Sequence, residues 1–109
     1  MAHDIIYVNP QGELQPYTFD FTDDLTGDTV LKDIGSGSTI NAYDYDGTDV
    51  GSTILTSKLR TNMTLSVVIG SVTEGEEYRV EFLGKGNTTN QVFIKTLEVR
   101  ARRKIQGGY

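Results

Sequence analysis

Through most of the chain, apolar and polar residues alternate with a period of two, the pattern of half-buried β-strands. Tyr17, Phe19 and Phe21 share one face of a strand predicted over 17–22, with Thr18, Asp20 and Thr22 on the other. Leu65, Val67 and Ile69 form the inward face of a strand over 64–69, and Tyr78, Val80 and Phe82 that of a strand over 76–83. A strand over 39–45 puts Ile40 and Ala42 on one face and Tyr43 and Tyr45 on the other, and the pattern leaves open which face is buried. The last run, 90–102, changes phase: Val92 and Ile94 have one parity, Leu97, Val99 and Ala101 the other. Reading both sets as inward requires one extra residue, so the pattern predicts a β-bulge near Lys95 and Thr96.

Turn chemistry separates these runs. Asp46-Gly47 is a strong hairpin pair, Gly84-Lys85-Gly86-Asn87 turns the chain between the last two strands, and Gly35-Ser36-Gly37-Ser38 is a flexible bend. Residues 28–31 and 53–56 give shorter strand signals, 56–59 is compatible with one helical turn, and Leu25 reads as a plug for one end of the fold. No amphipathic helix longer than two turns and no internal repeat is visible.

One stretch is more specific. Glu74-Gly75-Glu76-Glu77-Tyr78-Arg79-Val80-Glu81-Phe82 is a tight acidic turn that leads through a Tyr into strict alternation. A corner Tyr with an inward residue two places later is how the penultimate strand of an immunoglobulin-like sandwich begins. The expected fold is therefore all-β, an immunoglobulin-like antiparallel β-sandwich, with Tyr78, Val80, Phe82, Leu65, Val67 and Ile69 as its structural residues and the Tyr78 hydroxyl bonded to upstream backbone. Residues 17–102 form the sandwich. Pro10, Gly12 and Pro16 interrupt any ladder before it, so residues 1–16 are expected as an extended N-terminal arm along a sheet edge of its own domain or of a neighbour. Residues 103–109 are expected as a flexible basic tail.

Composition narrows the chemistry. With 109 residues and 37% apolar content the chain suits one thin two-layer domain. It has no Cys, which excludes disulfides and thiol chemistry, and its single His, His3, stands at the terminus. A Ser–His–Asp arrangement needs a fixed base and zinc needs several N or S ligands, so no catalytic residue and no cofactor is expected. No apolar run approaches the ~20 residues that span a bilayer, and the N-terminus does not read as a secretory signal. Asp44, Asp46 and Asp49 give a weak calcium signal. The calcium-loop pattern wants an oxygen-rich residue where Thr48 stands and a Glu where Leu55 stands, so an Asp-Gly hairpin is the better reading.

Charge is uneven. Residues 1–57 carry ten acids and one base, residues 58–109 five acids and nine bases. The net charge of −5 argues against general nucleic-acid binding, and the asymmetry suggests complementary ends in packed copies. Candidate contact residues are Ile5, Ile6 and Tyr7 of the arm, the pair Tyr43 and Tyr45, and the bases Arg100, Arg102, Arg103 and Lys104.

Three pieces of the chain follow one further pattern: Leu25-Thr26-Gly27-Asp28-Thr29-Val30, then Thr73-Glu74-Gly75-Glu76-Glu77-Tyr78-Arg79-Val80, then the strand from Val92 to Arg100. Over roughly residues 17–101 the chain resembles the small immunoglobulin-like accessory proteins of tailed bacteriophages, encoded among head and tail structural genes. That resemblance implies a non-catalytic virion structural protein made in the host cytoplasm, most simply a capsid decoration or cement protein. Its partners would be the major capsid protein or other virion proteins, and it would form a homo-oligomer on the particle. The alternative is a neck, tail or surface adhesin module that binds a host carbohydrate or protein, with or without calcium.

Overall fold

The computed structural model describes residues 3–103. Seven strands run through it: β1 (His3–Val8), β2 (Gln15–Asp20), β3 (Thr39–Asp44), β4 (Leu55–Thr61), β5 (Thr64–Ile69), β6 (Glu77–Lys85) and β7 (Val92–Ala101), with one helical turn, α1 (Gly51–Ile54), before β4. They form a four-stranded sheet of order β1-β7-β6-β3 and a three-stranded sheet of order β2-β5-β4. Every pairing is antiparallel except that of β1 with β7, which is parallel. The two sheets pack as a β-sandwich.

The alternation sets the packing. Phe19, Leu65, Val67 and Ile69 from the smaller sheet meet Ile40, Ala42, Val80, Phe82, Leu97 and Val99 from the larger one, all buried. The question left open for β3 is settled by this core: Ile40 and Ala42 are inward. The Phe19 and Phe82 rings meet edge to face with centroids 4.9 Å apart, joining the two sheets. Leu25, from the loop after β2, is buried in the core. Gly84 is small for a reason, because a Cβ there would lie 2.8 Å from the Phe21 ring.

Tyr78 is buried at the start of β6, and its hydroxyl accepts the Thr73 N–H at 2.9 Å. Asp28 makes a long-range polar tie. Its carboxylate accepts the N–H groups of Thr88 at 2.7 Å and Thr89 at 3.1 Å and the Thr89 hydroxyl, so it holds the β6–β7 turn against the preceding loop. These bonds, first that of the Thr89 hydroxyl, keep the Asp28 carboxyl below its ordinary pKa.

Four expectations need correction. The β6–β7 register is unbroken from Glu77↔Arg100 to Lys85↔Val92, so no bulge lies near Lys95 and Thr96. Val92 and Ile94 point outward, 49% and 41% exposed, and the inward series is Phe93, Lys95, Leu97, Val99 and Ala101. A lysine occupies an inward position, which made one continuous phase look like two. Its stem lies against the core and its ammonium reaches the sandwich end: Lys95 Nζ is 2.9 Å from the Asp20 carbonyl, 2.7 Å from Asp24 Oδ2, and 5.7 Å and 5.4 Å from the ring centres of Phe19 and Phe21.

The irregularity falls in β4 instead, where the register shifts between Thr56 and Leu59 and Ser57 has φ of 55°. The helical turn expected over 56–59 lies earlier, at Gly51–Ile54. Residues 28–31 supply an isolated bridge, Leu31↔Gly86, rather than a strand. Finally, the segment expected as an arm enters the sandwich: β1 pairs with β7 over its whole length and Val8 is fully buried. Of the two positions open to it, the own-domain edge is the one observed.

Candidate interaction surface

The strand register puts the candidate contact residues in rows on the outer face of the larger sheet. Paired residues on adjacent strands project to the same side. One row therefore reads Ile5, Glu98, Arg79, Tyr43 across β1, β7, β6 and β3, and the next reads Tyr7, Arg100, Glu77. Further along lie Ile94 opposite Leu83 and Val92 opposite Lys85. This face mixes charges with exposed apolar side chains, and Ile5 is 47% exposed.

The charges are largely matched within the face. Arg79 Nε donates to Glu81 at 2.9 Å, and its guanidinium stands 5.3 Å from the centre of the Tyr43 ring. Arg100 donates two bonds to Glu98 Oε2, at 2.9 and 2.6 Å, which raises the guanidinium above its ordinary pKa. Arg102 lies 5.7 Å from the centre of the Tyr7 ring, and Arg103 is 3.2 Å from Glu74. An open groove of about 520 Å³ follows, lined by Glu74, Glu76, Glu77, Arg100, Arg102 and Arg103. Lys104 lies outside the described residues.

The remaining candidates separate. Ile6 faces inward and packs on the core. Tyr43 and Tyr45 do not form a pair on one strand: β3 ends at Asp44, Tyr43 is half-buried, and Tyr45 stands 85% exposed in the following turn. The carboxylates of that turn hold backbone. Asp44 Oδ1 accepts the N–H groups of Asp46 and Thr48, each at 2.9 Å, and Asp49 Oδ1 accepts that of Gly51 at 2.9 Å. No group of three or more His, Asp or Glu among the described residues could hold a metal ion.

The charge asymmetry along the sequence is partly neutralised within the molecule. Asp24 and Asp33 from the acidic half meet Lys95 at 2.7 Å and Arg60 at 3.8 Å from the basic half. At the β1–β2 end, Tyr17 donates its hydroxyl proton to Asp4. Burial, with this carboxylate beside it, pushes the Tyr17 pKa up to about 12.

Sequence reasoning missed Val92, Ile94 and Leu83 as surface residues. The available signal was the common parity of Phe93, Lys95 and Leu97. The outer face of the smaller sheet is richer in hydroxyls, with Thr18, Thr56, Thr61, Thr64 and Ser66 along it beside Val68 and the exposed Leu59. Among known proteins, no family model and no curated sequence matches this chain.

Proposed function

We propose that the chain is an immunoglobulin-like, non-catalytic structural protein of a tailed-phage virion, attached to the head surface as a decoration or cement module. The observation that carries the fold half of this reading is the strand order. The order β2-β5-β4 matches strands B, E and D of the immunoglobulin arrangement, and β3-β6-β7 matches C, F and G. The first strand has moved from the B edge to the G edge, where it runs parallel to the last. Tyr78 bonds its hydroxyl to backbone five residues upstream, as the corner Tyr of strand F does in such domains.

The functional half rests on the resemblance quoted above and on where the side-chain chemistry goes. Five carboxylates of the acidic loops are engaged with backbone or with bases: Asp28, Asp44 and Asp49 by hydrogen bonds, Asp24 and Asp33 by ion pairs. Four of the exposed apolar residues, Ile5, Tyr7, Val92 and Ile94, lie together on the outer face of the larger sheet. Such a molecule acts by laying a surface on another surface.

The test is addition of the purified chain to phage heads assembled without it, followed by sedimentation. The reading requires saturable co-sedimentation at a fixed number of copies per head and a higher head-disruption temperature. Failure to bind heads, with binding to tails or to host cell walls instead, would replace decoration by the adhesin alternative.

A further inference from the structure

A sheet edge presents unpaired backbone groups, and soluble domains guard such edges with Pro, Lys, bulges or a covering segment. Three of the four edges here are guarded. The β2 edge carries Pro16, which has no N–H to offer. The β4 edge is broken by the shift between Thr56 and Leu59 and carries Lys58 and Arg60. The β3 edge is covered by the segment after it, through Val50 N–H to the Ala42 carbonyl at 2.9 Å and Asp44 N–H to the Thr48 carbonyl at 3.0 Å.

The β1 edge, His-Asp-Ile-Ile-Tyr-Val, has no Pro, Lys, bulge or covering strand among the described residues. Its one charge is Asp4, which has the inward parity of Ile6 and Val8 and is bonded by the Tyr17 hydroxyl. The orientation of its backbone follows from one bond: Arg102 N–H donates to the Val8 carbonyl at 3.1 Å. Even-numbered residues of β1 therefore turn their N–H and C=O toward β7, and alternation turns those of Ile5 outward.

We infer that the β1 edge is a homodimer interface, in which a second copy adds its own β1 antiparallel across a two-fold axis at Ile5. The two Ile5 residues exchange both N–H···O=C bonds, and their half-exposed side chains pack against each other on the outer face. The strand is compatible with itself. With the axis at Ile5, residues 3–7 of one copy run opposite residues 7–3 of the other, and Val8 lies beyond the paired stretch. The one acid on β1 with a described side chain, Asp4, comes opposite Ile6 of the other copy rather than opposite Asp4, and it is already bonded by the Tyr17 hydroxyl. A two-fold contact of this kind needs one surface and closes on itself. The product is a continuous eight-stranded sheet made from two copies of the four-stranded one.

A six-residue strand is a small interface, so the association is reversible and weaker than about 1 μM. Sedimentation velocity of the full chain from about 5 μM to about 1 mM should show a monomer–dimer equilibrium. Hydrogen exchange should show protection of the Ile5 amide that rises with concentration, with no change at Leu59 on the broken edge. Ile5→Pro deletes only an outward N–H, so it should leave the melting temperature nearly unchanged and weaken the dimer at least about tenfold. Ile5→Lys should do the same through charge, and covers the case in which the proline variant misfolds. A wild-type chain that stays monomeric throughout, or wild type and both variants associating equally, overturns the inference. Neither outcome depends on binding to a phage particle.

Discussion

Replacing Lys95 by Met tests the least expected feature of the core, an inward lysine. The substitution keeps the stem over Phe19 and Phe21 and removes the ammonium. Asp24 Oδ2 then loses its partner 2.7 Å away, and that oxygen is buried with no hydrogen bond of its own. The contact with Lys95 is thus an ion pair without good hydrogen-bond geometry. Exposed pairs contribute ~0–1 kcal/mol, and breaking a fully buried pair costs ~3–5 kcal/mol. The Lys95 and Asp24 side chains retain 13% and 22% exposure, between these limits but not at the buried one. The expected loss is about 1–3 kcal/mol, or roughly 5–15 °C in melting temperature for a domain of this size. Urea denaturation followed by far-ultraviolet circular dichroism measures it. Asp24→Asn and the double variant complete a cycle, in which a coupling of about 1–2 kcal/mol is expected. If Lys95→Met matched the wild type and the cycle showed no coupling, the ionic account of this position would be wrong.

Tyr78→Phe removes the acceptor of the Thr73 N–H and should cost about 0.5–1.5 kcal/mol in the same assay, whereas Tyr45→Phe, at an exposed turn, should be neutral. Gly84→Ala drives a methyl into the Phe21 ring and should cost about 1–3 kcal/mol. The Asp28 pKa is lowered by folding, so its carboxylate stabilises the fold above the ordinary carboxyl range and loses that effect as pH falls through the folded value. The melting-temperature gap between wild type and Asp28→Asn should therefore be widest near neutral pH and shrink below about pH 4; a gap constant down to pH 2 would contradict the bonding to Thr88 and Thr89. Deleting residues 1–8 removes β1 and the buried Val8, so it should lower the melting temperature sharply, where a detached arm would leave it unchanged.

Strands whose two faces differ cleanly were legible in the chain. β5 and β6 alternate without exception between core and surface, and their inward residues follow from parity alone. The sequence was harder to read wherever a side chain's chemistry and its direction disagreed. Lys95 is charged and inward, while Val92 and Ile94 are apolar and outward, so β7 looked broken although its register is continuous. Residues 51–59 carry Thr and Ser with no period, and a helical turn and a bulge differ there by only a few residues. The lead segment posed a different difficulty: parallel pairing with the far end of the chain leaves no local sign, because nothing between Val8 and Val92 marks them as members of one sheet. Of the surface, single residues such as Ile5 and Tyr7 were identifiable, but the rows they form with Arg79, Glu98 and Arg100 depend on the register.

The central claim is that this sandwich is a structural part of a phage particle. Quantitative mass spectrometry of purified particles produced from the genome that encodes the chain tests it most directly. The account predicts the intact chain in washed particles at a copy number in fixed ratio to the major capsid protein. Its absence from particles, with the chain abundant in the infected cell, would contradict the account.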